Sequence, residues 1–226
     1  MLATTAANSP PTDHPDDPDA TAAPLWPAER QPPRPWFFGD THAVRLPLLD
    51  DLPELLGIKP EAVGAQQRAV DGARLVDLPP HIRAVAVETL RTLTHVVVWA
   101  GAEDVSAAEK MLQKSPRRPL PGFFRADFSN LLSVLAECCG PGVRPIVVRV
   151  ATPNASLSAA VNDVLSSVAE KAAIEVVWVE PVWEAGSAAP ATAADENAMS
   201  LAPVPTLDYR ATLAKVVEAL VTTPSM

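Results

Sequence analysis

The stretch Thr94 to Gly101, THVVVWAG, constrains this chain more than any other. Val96, Val97, Val98 and Trp99 follow one another with no polar residue to turn toward water. A strand of that kind has to be covered on both faces. Two further runs read as strands: IVVRVA from Ile146 to Ala151, and IEVVWV from Ile174. Pro35 to Phe38 is a short strand ahead of them, and a fifth strand is expected around Arg68-Ala69-Val70, before Gly72.

Helical periodicity fills the gaps between these strands. Asp77 caps a helix entered through Pro79-Pro80, prolines that only a first turn tolerates. Its apolar positions Ile82, Val85, Ala86, Leu90 and Leu93 recur at helical spacing. Phe128 to Cys139 forms the next helix, stopped by Gly140. Ser156 caps another that ends near Ala173, and YRATLAKVVEAL is amphipathic near the end of the chain. Strand–helix alternation implies a three-layer α/β/α sandwich, flavodoxin-like in layout, around a central, mostly parallel five-stranded sheet. Sites in such folds lie outside the carboxyl ends of the strands. Asp40-Thr41, Gly72 and Gly101 to Asp104 all fall at expected strand ends.

The organised pattern starts only at Trp36. Residues 1–34 are rich in Pro, Ala, Thr and Asp, a composition that cannot bury enough surface to offset its ordering entropy. They are expected to be a disordered tail ahead of a single domain at 35–226, with Trp26 either a docking anchor or a side chain resting loosely on the domain edge. Residues 186–206, GSAAPATAADENAMSLAPVPT, read as a long loop.

A net charge of −9 argues against general nucleic-acid binding, which brings a basic excess. Lys110, Lys114, Arg117, Arg118 and Arg125 do cluster in segment 110–125; a solvated face is the ordinary reading and an RNA-contacting patch the other. The only two cysteines, Cys138 and Cys139, are adjacent, which rules out a disulfide framework and fits buried thiols in a reducing compartment. No ligand spacing for a metal and no glycine-rich phosphate loop occur, so no cofactor is expected. No apolar run approaches the ~18 residues of a membrane span. The N-terminus lacks the features of a signal or transit peptide, so a cytoplasmic or nuclear location is expected.

Three strand-end segments carry a more specific signal. FFGDTHAVRL resembles the first block of the SGNH (GDSL-type) hydrolases, with Thr41 at the serine position. VDGARL resembles their second block, whose glycine N–H helps form the oxyanion hole; that glycine is Gly72. VVVWAGAEDVS resembles the third, Gly-x-Asn-Asp, with Glu103 at the asparagine position. The spacings 41 to 72 and 72 to 103 are of the family's size, and the resemblance extends over about residues 36–221. It implies the SGNH hydrolase-like fold and, by descent, ester hydrolysis.

The departures matter as much. Family members take an Asp and a His from a late Asp-x-x-His, and the nearest match here, DENAMSLAP, puts Glu196 and Met199 there. No histidine follows His95, so the late block supplies no base. His42 adjoins Thr41, and neighbouring helical side chains do not face each other. His95 starts its strand, roughly 20 Å from the site end at ~3.3 Å per residue. His81 remains as a substitute base, against an ordinary reading as a solvent-facing residue of a first helical turn. Glu103, when ionised, only accepts hydrogen bonds and repels the oxyanion that an asparagine amide would stabilise. The expected function is therefore a catalytically inactive SGNH-like domain that binds protein partners, as an assembly module or a subunit of a larger complex. A divergent ester hydrolase using Thr41, and an RNA-associated adaptor using segment 110–125, are the alternatives.

Overall fold

The computed structural model describes residues 25–27, 29–115, 119–140, 143–185 and 206–223. Five strands form one sheet: β1 (Pro35–Gly39), β2 (Gln66–Gln67), β3 (His95–Trp99), β4 (Ile146–Val148) and β5 (Val177–Val179). Their order is β2-β1-β3-β4-β5, and every adjacent pair is parallel. Alternate strand residues serve opposite faces. Trp36, Phe38, Val96, Val98 and Val147 join one core, whereas Phe37, Val97, Trp99, Ile146 and Val148 join the other. The first core is closed by α3 (Leu78–Arg83), α4 (Val87–Leu90), α5 (Ala102–Lys114), α6 (Phe123–Cys139) and α7 (Ala155–Ala172). The second is closed by α1 (Thr41–Val44), α2 (Asp51–Leu56) and α8 (Tyr209–Thr222). The expected three-layer sandwich is the fold. Among the described residues, no helix is long and apolar enough to cross a membrane.

Several local expectations are corrected. The second strand lies at Gln66–Gln67 rather than at 68–70, although Arg68 and Val70 still donate backbone bonds to Phe37 and Gly39. Its two glutamines are exposed at the sheet edge, so no apolar alternation marks it. The single helix expected after Pro79 is two, α3 and α4, broken where Ala86 turns to extended geometry (ψ 131°). Ile82, Leu90 and Leu93 nevertheless bury in one core, which is why their spacing read as one helix. Asp77 makes no side-chain cap bond; its carboxylate accepts the Arg74 N–H instead. Asn154, not Ser156, caps α7 by accepting the Leu157 N–H.

The boundary expected at residue 34 also moves. Trp26 is 3% exposed and belongs to the second core. Its backbone N–H donates to Leu56 at 3.1 Å, its indole N–H to the Gln31 carbonyl at 3.2 Å, and its ring meets His95 edge-on. Arg30 donates to the carbonyl of Val221 on α8 at 2.8 Å. Trp26 and Arg30 therefore strap the amino end of the sheet; residues 1–24 and 28 lie outside the described residues, as do 186–205 of the expected loop. Trp26→Ala should cost about 3 kcal/mol of unfolding free energy, the usual loss for a large aromatic removed from a core. A chain begun at Arg34 should lose at least as much. Urea denaturation measures both, and an unchanged midpoint would mean that the strap contributes nothing to folding.

Candidate active site

At the carboxyl edge of the sheet, β1 and β3 end in register, Gly39 beside Trp99. Gly39 is required there: a Cβ would sit 2.0 Å from the Trp99 carbonyl oxygen. The next residue, Asp40, is fully buried and stitches the two strand ends together. Its backbone N–H donates to the Trp99 carbonyl at 3.1 Å. One carboxylate oxygen accepts the His42 N–H at 2.9 Å, capping α1; the other accepts the Gly101 and Ala102 N–H groups, both at 3.1 Å. Burial pushes the Asp40 carboxyl up to about 6, the three N–H bonds pull it down, and the charge of Glu103 adds to the rise. Gly101 makes the turn possible with φ at +116°, a conformation that L side chains rarely adopt.

A second buried carboxylate fixes the third loop. Asp104, also without exposure, pairs with Arg74 at 3.0 Å and accepts the Leu75 N–H at 2.8 Å. Burial raises its pKa, while the Leu75 N–H bond and the Arg74 charge oppose the rise. The Gly72 loop is thereby tied to the first turn of α5, and the Asp40 cap ties that same turn to Thr41.

The three strand-end motifs therefore meet. Thr41, first residue of α1, accepts the Gly72 N–H on its hydroxyl at 3.1 Å. That hydroxyl donates to the Asp71 carboxylate at 2.6 Å. Glu103 lies between Ala102, held by Asp40, and Asp104, held by Leu75 and Arg74.

Among the described residues no histidine completes the set. The His42 ring stacks on Trp99 with centroids 5.4 Å apart, and its Nδ1 lies 3.0 Å from the Tyr209 hydroxyl. Burial, then the charge of Arg45, lowers its pKa to about 4, so the ring is neutral at pH 7. His81 sits in α3, half-buried rather than solvent-facing, and its Nδ1 is buried with no hydrogen-bond partner. His95 is buried at the amino end of β3, its ring atoms against Thr94 and the Thr223 carbonyl, and burial lowers its pKa. Among the described residues no hydrogen bond joins any of these rings to Thr41. Glu196 and Met199 lie outside the described residues, as do Arg117 and Arg118; Lys110, Lys114 and Arg125 are exposed. Among the described residues no group of His, Cys, Asp or Glu is arranged to hold a metal ion.

Asp71 and Tyr209 were not singled out by the sequence. Asp71 stands beside Gly72 in VDGARL, a signal available in principle once the loop was aligned to Thr41. Tyr209 reaches His42 across 167 residues, which no local pattern encodes.

No protein-family model matches this chain, and no curated protein matches it. Solved structures do. LAE5, an alpha/beta hydrolase enzyme from the metagenome of Lake Arreo, Spain, is 16% identical, covers 84% of this chain and 96% of its own, and superposes with a TM-score of 0.54. A Lactobacillus plantarum protein from a structural genomics consortium is 11% identical, with 85% and 97% covered and a TM-score of 0.53. The lipase Lip_vut3 from a goat rumen metagenome is 12% identical, with 65% and 80% covered and a TM-score of 0.50. At such identities the likeness is one of fold: the chain has an SGNH hydrolase-like fold.

The buried carboxylate at the centre of the edge makes a testable statement about protons. The Asp40 carboxyl carbon should titrate near pH 6 in the folded protein, about two units above an unfolded aspartate. The folded state then keeps a proton that the unfolded state releases near pH 4. The stabilisation from this group is fully present below that pH and lost as pH rises through 6. A carbon-detected NMR titration reads the midpoint directly; a value near 4 would show that the three N–H bonds fully offset burial.

Proposed function

We propose that this chain is an inactive descendant of an ester hydrolase, kept as a module that binds or assembles with other proteins. The observation that carries the reading is the state of the Thr41 hydroxyl. It donates to an exposed carboxylate and accepts the Gly72 N–H, with no imidazole hydrogen-bonded to it among the described residues. Acyl transfer of the serine type asks for a base that takes the hydroxyl proton and later returns it to the leaving group, a role that imidazole fills near neutral pH. It also asks for donors aimed at the oxyanion. Here the Gly72 N–H is engaged with the hydroxyl oxygen, and Glu103 brings a carboxylate where the related hydrolases have an amide donor. What survives is the scaffold, with Asp40 and Asp104 still holding three loops in place.

One contact favours a second reading. At 2.6 Å, Asp71 is within reach to accept the Thr41 proton directly, as a threonine–carboxylate pair would need for attack on an ester carbonyl. Turnover of p-nitrophenyl acetate separates the two. The wild type should run at the uncatalysed rate, with Thr41→Ala, Asp71→Asn and His81→Ala unchanged from it. Glu103→Asn alone should restore nothing, because the base is still missing. Wild-type turnover abolished by both Thr41→Ala and Asp71→Asn would establish the hydrolase instead, and a fall in His81→Ala would bring that histidine into the mechanism.

A further inference from the structure

Beside the Thr41 loop, on the side of α1 and α8, the carboxyl edge opens into a cleft of about 180 Å³. Ala151, Pro153 and Leu207 give it apolar surface, and Trp183, Tyr209 and His42 give it rings. Arg45 stands at the same cleft, exposed, and its guanidinium makes no ion pair among the described residues. His42 is fixed here by its stack on Trp99 and its contact with Tyr209. With Nδ1 turned to the Tyr209 hydroxyl, Nε2 is the ring atom left for a ligand. The cleft thus combines a cation, a held imidazole and flat apolar walls. Among the described residues no acidic side chain lines it.

We infer that this cleft binds a small aromatic carboxylate, with the carboxylate on Arg45 and His42 and the ring against Trp183 and Tyr209. The guanidinium fork matches a carboxylate in geometry and charge. Size sets the body of the ligand: a cavity near 150 Å³ holds a benzene ring, so about 180 Å³ accommodates a benzoate-sized molecule. The inference rests on the reading of the chain as a binding module, and it names a ligand class for a cleft separate from the Thr41–Asp71–Gly72 cluster.

The experiment is an NMR titration of the whole chain with sodium benzoate at constant ionic strength, and with benzamide as the neutral probe of the same shape. Benzoate should shift the ring signals of His42 and Tyr209 in a saturating manner and bind at least about tenfold more tightly than benzamide, as expected for a charge-assisted contact. Arg45→Gln should remove that preference, while Arg91→Gln, at the end of α4, should leave it intact. Absence of saturating shifts at His42 and Tyr209, or equal affinity for the two probes, overturns the inference from the wild type alone, whatever the variants do. A preference that survives in folded Arg45→Gln overturns the assigned anchor. Ester turnover measured on the same sample keeps the two readings apart: turnover with benzoate bound refutes only the inactive reading, and silence in both assays refutes only the cleft.

Discussion

The Asp40 carboxylate is the constraint on which the rest of this edge depends. It sits where two parallel strands end side by side, takes three backbone N–H groups from α1 and the β3–α5 turn, and has no contact with water. Leaving those donors without an acceptor in a buried setting would cost a full desolvation penalty for each. The side chain therefore dictates where α1 begins, and with it where the Thr41 hydroxyl stands. Asp104 repeats the device one loop further on, drawing Arg74 and Leu75 onto α5. Two buried carboxylates, each raised by burial and held by N–H donors, thus build a rigid three-loop platform.

That platform separates architecture from chemistry. Hydrolases of this fold use such an edge to aim a nucleophile, a base and oxyanion donors at one point. On the reading proposed above, that edge is kept and its parts are changed: a threonine for serine, a glutamate for asparagine, and no imidazole bonded to the hydroxyl among the described residues. His42, the nearest histidine in sequence, belongs to a different assembly: it stacks on Trp99 and, with Tyr209, lines the adjacent cleft. On that same reading the scaffold outlasts its reaction, because Asp40 and Asp104 hold the loops through backbone N–H groups and Arg74 rather than acting as reacting groups.

Much of this was legible in the chain because the relevant chemistry is local. HVVVW can only be a strand covered on both faces, and a glycine followed by Asp-Thr at a strand end announces a capped turn. Other elements carry no such mark. The edge strand β2 is two exposed glutamines, and its place is set by bonds to β1 rather than by its own side chains. Trp26 lies in a stretch whose composition reads as disorder, yet its ring is buried edge-on to His95 and its backbone N–H is bonded to the Leu56 carbonyl. The break between α3 and α4 preserves the apolar face and so hides from a periodicity argument. Asp71 and Tyr209 gain meaning only through partners 30 and 167 residues away.

The central claim is that the Thr41 hydroxyl stands in a nucleophile's place without being one. A fluorophosphonate reports on that most directly, since it forms a covalent phosphonate ester only with a hydroxyl that the protein activates. Intact mass and peptide mapping after prolonged exposure should show no adduct at Thr41. A stoichiometric adduct on Thr41 that disappears in Asp71→Asn would contradict the account.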